Sequence, residues 1–180
     1  MVLRVAGHAI EWEPVLQVDG DEEHICPAGQ LFRELFRWKD TPYESGQQAE
    51  GLGADCIGTL IPIVESLRGI ASEDLPRLPP DSAMHDPESA REAMKVLLRR
   101  MEPHQKLEVP ANGPMKVQPG DLFITGAPQG GPGHLAMVGP QYNTIWHATS
   151  GAGFHWTGWD FLTPQTVIAV YRLTDRHEWI

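Results

Sequence analysis

The chain has 180 residues and a formal net charge of −10, because 24 carboxylate residues oppose 14 lysines and arginines. This length fits one domain with a sizeable core, and the acidic balance argues against a nucleic-acid-binding protein, which normally carries a basic surface. Two cysteines form neither a disulfide framework nor a four-cysteine zinc site.

Residues 1–29 are predicted to be an N-terminal β-type extension, because apolar and polar residues alternate loosely there. Cys26 falls near its end, with no partner that suggests chemistry. The N-terminus lacks the basic start and apolar core of a signal peptide, and no window of eighteen apolar residues predicts a membrane span. We therefore expect the protein to be cytoplasmic as synthesised and, if it acts elsewhere, to travel by another route.

Three helices are predicted in the first half of the chain. Helical spacing of apolar residues indicates them, and Gly69 is the expected stop of the second. Their ranges are 30–39, 56–66 and 87–101. Residues 70–87 are rich in Pro, Asp and Ser and are predicted to be a surface loop, and 102–119 is expected to be irregular.

From Gly120 onwards the pattern changes to short β-type runs separated by glycine, proline and asparagine. Helices first and strands second predict an α+β fold, with N-terminal helices packed on a C-terminal antiparallel β-sheet. The final residues, 174–180, are expected to form a tail. The predicted strands cover 121–125, 134–138, 144–147 and 166–172.

Cys56 stands at the predicted start of the second helix, directly after Asp55, a suitable N-cap. The positive end of a helix dipole favours a thiolate, the nucleophilic form of cysteine. A free cysteine is also a common small core residue. The helix alone leaves the two interpretations of Cys56 equally open.

A cysteine nucleophile needs a base, and the base needs a group that orients it. His134 follows a glycine-rich turn at a strand edge, and His147 lies thirteen residues later on the neighbouring predicted strand. Antiparallel pairing can bring two such rings together. The other histidines fall near the ends of the chain or in solvent-like contexts, apart from His155, which is considered below.

Five motifs in order resemble the NlpC/p60 family of cell-wall cysteine peptidases, which have a compact papain-like fold. The resemblance covers roughly residues 30–173. The phage-type branch is the most similar because it often carries a long insert between the cysteine helix and the Gly-Asp strand, and the resemblance implies such a helical insert at about 70–115 of this chain. The motifs lie at 38–43, 51–58, 120–123, 134–138 and 145–148.

The resemblance implies a role for each matched catalytic residue. Cys56 matches the nucleophile and His134 the general base. His147 matches the polar residue that orients the base, and Tyr43 matches the tyrosine that helps to hold the oxyanion. The backbone N–H of Cys56 is the second expected oxyanion donor.

Substrate-side residues also follow from the resemblance. Asp55 matches the acidic residue before the cysteine and is interpreted as a cap and loop organiser; together with Gly133 and Trp146 it is assigned to substrate binding. The tryptophans are more typical of packing than of a sugar platform. The family usually has serine after the cysteine, where this chain has Ile57. It often has a glycine pair after the tyrosine motif, where this chain has Glu44-Ser45-Gly46. Both differences bear on substrate choice.

The implied function is a cysteine peptidase or amidase that hydrolyses amide bonds of peptidoglycan stem peptides through a thioester, without cofactor or metal. Phage tail proteins are the partners expected for a phage-derived member. Two alternatives remain open: a non-catalytic tail or assembly module, and an acyltransferase or amidase of the same fold that acts on lipids or small amides. A metal site formed by His134, His147 and His155 is weaker, since the sequence does not support their convergence.

Overall fold

The computed structural model describes residues 3–5, 8–12, 27–69, 87–109, 114–126, 132–159 and 167–173. Within these ranges it contains three helices and eleven strands. In chain order they are β1 (Leu3–Val5), β2 (His8–Trp12), α1 (Pro27–Trp38), β3 (Gln48–Ala49), β4 (Gly53–Ala54), α2 (Cys56–Arg68), α3 (Pro87–Arg100), β5 (His104–Leu107), β6 (Pro114–Val117), β7 (Leu122–Gly126), β8 (Pro132–Val138), β9 (Ile145–Thr149), β10 (Gly153–Thr157) and β11 (Val167–Leu173).

Helix α2 has well-defined signals at both ends. Asp55 is extended (φ −92°, ψ −175°) and accepts a hydrogen bond from the N–H of Gly58, so the helix begins at Cys56. Gly69 adopts the left-handed conformation (φ 64°) that ends a helix. No helix in the described parts of the chain is long and apolar enough to cross a membrane.

Six strands form one antiparallel sheet in the order β10-β9-β8-β7-β11-β5. The strands that carry the two candidate histidines, β8 and β9, are therefore neighbours. Their described pairing joins Met137 to Trp146 and Val138 to Ile145. A smaller sheet contains β1, β2 and β6, and β3 pairs with β4.

Both faces of the six-stranded sheet are covered. Leu122 and Ile124 of β7 join the core that the sheet shares with the helices, whereas Phe123 joins a second core. Met115 and Val117 of β6 belong to that second core. Since successive side chains of a strand point to opposite faces, this double burial explains the unbroken apolar run in β7.

Helix α3 holds α2 in place through a buried ion pair. The Arg100 guanidinium lies 2.5 Å from a carboxylate oxygen of Glu65, and each side chain is only 4% exposed. Arg68 donates a further hydrogen bond to the Arg100 carbonyl. Breaking a buried pair leaves an uncompensated charge, so this contact fixes how the two helices pack.

The structure confirms the predicted helices and the four predicted C-terminal strands, with ends shifted by a few residues. The prediction that 102–119 is irregular is wrong, because β5 extends the large sheet and β6 pairs with β2. Strand β10 was not predicted. Helix α1 begins at Pro27, inside the predicted extension. The domain boundaries, the status of 70–115 as an insert and the tail at 174–180 stay predictions; the tail lies outside the described residues.

Candidate active site

The start of α2 is wrapped by the loop before it. One carboxylate oxygen of Asp55 accepts from the Gly58 N–H at 2.7 Å, and the other accepts from the Gly46 N–H at 2.9 Å. The loop passes so close that a Cβ at Gly58 would lie 2.0 Å from the Gln47 carbonyl oxygen. Asp55 thus makes the contacts that a cap and loop organiser requires.

Cys56 is buried at this helix start, with 3% of its surface exposed. The nearby backbone N–H groups of Leu135, Ile57 and Cys56 lower the pKa of its thiol and so favour the thiolate. Burial and the neighbouring Asp55 charge are stronger and raise the pKa of the thiol to about 12. The expectation that the helix dipole makes the thiolate the favoured form is therefore wrong for the resting protein. The Leu135 contact places the sulfur beside β8, at the residue next to His134.

His134 and His147 meet directly. Nε2 of His134 lies 2.9 Å from Nδ1 of His147, with the two rings nearly perpendicular at 89°. Burial, with a smaller contribution from the nearby His155, lowers the pKa of His134 to about 4. Burial, with smaller contributions from His134 and His155, lowers the pKa of His147 to about 3. Both rings are thus neutral at pH 7. His134 can accept a proton there, with His147 in place to orient its ring.

Two neighbours of this pair, Thr157 and His155, had no assigned catalytic role in the sequence. The Thr157 hydroxyl oxygen lies 3.3 Å from Nε2 of His147. His155 lies directly opposite His147 across β9 and β10, with ring centroids 4.7 Å apart. Only the register of β10 against β9 brings them there, and that register follows from the Thr149–Gly153 turn rather than from a motif.

Tyr43 is tied to the chain just before the cysteine. Its backbone forms a bridge with Ala54, and the Ala54 N–H donates to the Pro42 carbonyl. Burial raises the pKa of the Tyr43 hydroxyl, and the charges of Cys56 and Asp55 raise it further. Tyr43 therefore stays protonated at neutral pH and can donate a hydrogen bond.

Gly133 lies on β8, the strand of His134, and Trp146 lies on β9, the strand of His147. Trp146 is 3% exposed and packs between Phe36 and Phe154, with ring centroids 5.7 Å from each. This position suits the interpretation of the tryptophans as packing residues. Gly133 precedes His134 in β8 and is partly exposed. The assignment of both to substrate binding stays a prediction.

The three histidines considered as a metal site do lie next to one another, contrary to the expectation from the sequence. Among the residues that the structure describes, however, no group of three or more His, Cys, Asp or Glu side chains is arranged to hold a metal ion. Both ring nitrogens of His147 face protein partners, and Nδ1 of His155 lies 3.0 Å from the Gly153 carbonyl.

The three helices pack on one face of an antiparallel sheet, and Cys56 at the start of α2 lies beside β8, which carries His134. This arrangement defines an α+β papain-like fold. A solved structure identifies the fold more narrowly as that of the NlpC/p60 family, as the sequence resemblance predicts. A protein of the NLP/P60 family from Staphylococcus aureus subsp. aureus Mu50, described as similar to lipoprotein, superposes with a TM-score of 0.50 at 17% identity. That match covers 88% of this chain and 45% of the staphylococcal protein, so the chain spans less than half of that relative.

A second solved structure with this fold is the NlpC/p60 domain of the peptidoglycan hydrolase SagA. It has a TM-score of 0.49 and 15% identity, and the match covers 79% of this chain and 96% of that domain. No protein-family model and no curated protein matches the sequence.

Proposed function

We propose that the protein is a cysteine peptidase or amidase that hydrolyses amide bonds in peptidoglycan stem peptides through a thioester. The observation that carries the proposal is the position of Cys56 at the start of α2, near the Leu135 N–H of β8; the preceding residue of that strand, His134, is hydrogen-bonded to His147. The NlpC/p60 fold and the peptidoglycan hydrolase SagA among the similar structures support this class of substrate.

In the first step the Cys56 sulfur attacks the amide carbonyl carbon. Because the pKa of the thiol is raised and both histidines are neutral, the resting pair is a thiol and an imidazole rather than an ion pair. The thiol proton passes to His134 as the carbon–sulfur bond forms. His147 holds the ring of His134 through the 2.9 Å contact.

The tetrahedral intermediate carries a negative oxygen that needs hydrogen-bond donors. The N–H of Cys56, at the open end of α2, is one donor, because the first N–H groups of a helix have no partner within it. The protonated hydroxyl of Tyr43 supplies the second. His134 then gives its proton to the leaving amine, and a thioester on Cys56 remains.

Hydrolysis of the thioester repeats the same proton path. His134 removes a proton from water, the hydroxide attacks the thioester carbonyl, and the Cys56 thiol leaves with the proton that His134 returns. Carboxylic acid and free enzyme result. Protons move only among Cys56, His134, the leaving amine and water, so the proposed reaction requires no cofactor.

The proposal is tested by digestion of purified murein and mass spectrometry of the released fragments. The wild-type protein should release stem-peptide fragments whose masses identify the bond cut, and Cys56→Ala should release none. Cys26→Ala is the matched control, since it removes the other cysteine of the chain. Undiminished hydrolysis by Cys56→Ala would overturn the assignment.

A non-catalytic tail or assembly module is the second candidate, and one observation favours it. Cys56 is buried, and its pKa is raised to about 12, as is typical of inert structural cysteines. A wild-type protein that releases nothing from murein and binds it unchanged would support this function. The phage-type origin, phage tail partners and delivery to a virion or to the cell wall belong to the same proposal and rest on the sequence resemblance.

A further inference from the structure

Two neutral imidazoles that face each other can place only one hydrogen between them. Nε2 of His134 and Nδ1 of His147 are 2.9 Å apart, so one nitrogen donates and the other accepts. Each neutral ring carries a single N–H. If His134 donates from Nε2, its Nδ1 is unprotonated and can take a proton from a thiol. If His147 donates, the hydrogen of His134 is on Nδ1, and that ring cannot act as the base.

Thr157 decides between these two arrangements. Its hydroxyl oxygen lies 3.3 Å from Nε2 of His147 and 3.3 Å from the carbonyl oxygen of Gly158. A carbonyl oxygen can only accept, so the single hydroxyl hydrogen of Thr157 is directed to Gly158. The lone pairs of the same oxygen then accept the Nε2–H of His147. The hydrogen of His147 is thereby placed on Nε2, and its Nδ1 becomes the acceptor for His134.

We propose that Thr157 is a positioning residue that fixes the tautomer of His147 and, through it, leaves Nδ1 of His134 unprotonated. The donors run in one direction, from His134 to His147 to Thr157 to the Gly158 carbonyl. This inference rests on the proposed function, because the direction matters only if His134 accepts a proton from Cys56. It adds Thr157, next to His147, to the catalytic residues that the family resemblance supplies.

The direction also matters after the proton has moved. The His134 imidazolium has hydrogens on both nitrogens, and it needs an acceptor opposite Nε2. With Thr157 present, that acceptor is the lone pair on Nδ1 of His147. Without the Thr157 hydroxyl, His147 can carry its hydrogen on Nδ1 instead of Nε2. When His134 is protonated, its Nε2–H would then face the Nδ1–H of His147.

The tautomers can be measured directly by nuclear magnetic resonance on the ¹⁵N-labelled full chain at pH 7.5. Two-bond ¹H–¹⁵N correlations distinguish protonated from unprotonated ring nitrogens. We expect His134 and His147 to be Nε2–H tautomers in the wild-type protein and in Thr157→Ser, which keeps the hydroxyl. In Thr157→Val, of nearly the same shape, His147 should shift towards the Nδ1–H form. An Nδ1–H tautomer of wild-type His134, or unchanged tautomers in Thr157→Val, would overturn the proposal.

Kinetics on a murein stem peptide provide the second readout. Thr157→Val should lower kcat by about tenfold or more, since a wrong imidazole tautomer removes most of the base's effect, and should leave KM within about twofold. Thr157→Ser should restore kcat to within about threefold. If Thr157→Val disturbs folding, Thr157→Ala takes its place. The tautomer measurement needs no substrate and therefore tests this inference separately from the proposed function. If the wild-type protein hydrolyses nothing, the proposed function is refuted. If folded Thr157→Val has a normal kcat, only this inference is refuted.

Discussion

The pH range in which His134 can act as a base follows from its surroundings. Burial and His155 lower the pKa of His134 to about 4, well below the ordinary value of 6.5. We therefore expect the acid limb of kcat/KM, which reports the free protein, to fall near pH 4, with activity nearly constant from about pH 5 to 8. The check is kcat/KM on a stem peptide from pH 3.5 to 8. A limb near pH 6.5 would contradict a desolvated, neutral His134.

Cys56 should show the reactivity of a buried thiol. Its pKa is raised to about 12, so the thiolate fraction at neutral pH is very small. We expect alkylation by iodoacetamide in a Cys26→Ser background to be slow at pH 7 and to keep rising with pH up to 10. The sequence shows the helix start, which favours a thiolate, but it does not show the burial that opposes it. A rate that is already at its plateau below pH 8 would show that Cys56 and His134 form an ion pair.

At the scale of the single element, α2 depends on its cap. Asp55→Ala removes the acceptors for the N–H groups of Gly58 and Gly46. We expect a loss of about 1–2 kcal/mol in the free energy of unfolding, the usual cost of a lost N-cap. Urea denaturation measures it as a lower midpoint at an unchanged slope. Asp55→Asn is the control: it keeps one acceptor oxygen and should lose less. Equal losses in both variants would mean that the charge matters and the cap does not.

The close approach of α2 to the preceding loop makes a second prediction. A Cβ at Gly58 would lie 2.0 Å from the Gln47 carbonyl oxygen, part of the backbone, whereas one at Gly53 would lie 2.6 Å from Cγ and 2.8 Å from Cβ of the Glu44 side chain. Gly58→Ala should therefore destabilise the protein by about 1–3 kcal/mol and displace the loop beside Cys56. Gly53→Ala adds the same methyl group and should cost less. Urea midpoints compare the two, and a milder effect at Gly58 would contradict the packing described.

The elements differ in how well the sequence predicts them. The ends of α2 were predictable because Asp55 and Gly69 carry specific capping chemistry. Strand β5 was missed because, among the described strands, it pairs only with β11, and none of its four residues is buried. Strand β6 was missed because Pro114 opens it and because only its pairing with β2, distant in sequence, defines it.

Across the whole molecule, the predictable part of the site is the part that lies in short motifs. Cys56, His134 and His147 each stand in a motif of distinctive chemistry, and the fold brings the two histidines into contact. The contact of Thr157 with His147 depends on the register of β10, and a one-residue shift in register would turn its side chain to the other face. The raised pKa of Cys56 depends on how completely the core between the helices and the sheet buries its thiol. Neither property has a local signal in the sequence.

The stability of the whole protein should fall in mild acid because it buries neutral histidine. Burial and the neighbouring His134 and His155 lower the pKa of His147 to about 3 in the folded protein, against 6.5 when it is exposed. Between those values the unfolded chain binds a proton that the folded protein does not, so the free energy of unfolding decreases as the pH falls through this window. His134, with its pKa lowered to about 4, acts in the same direction. Glu65 acts in the opposite direction, since burial raises its pKa and the folded state binds its proton more readily.

A variant that lacks the titrating ring separates these contributions. His147→Asn cannot take up a proton at this position, so it should lose less stability than the wild-type protein between pH 7 and pH 4. We expect a difference of about 2–3 kcal/mol, since each unit of pKa depression corresponds to about 1.4 kcal/mol. Urea unfolding of both proteins at pH 7, 5.5 and 4 measures this difference. The contribution of Glu65 to the pH dependence cancels because both proteins contain it. Parallel pH dependence in the two proteins would mean that His147 is protonated inside the fold, and the neutral relay from His134 to Thr157 would then have to be abandoned.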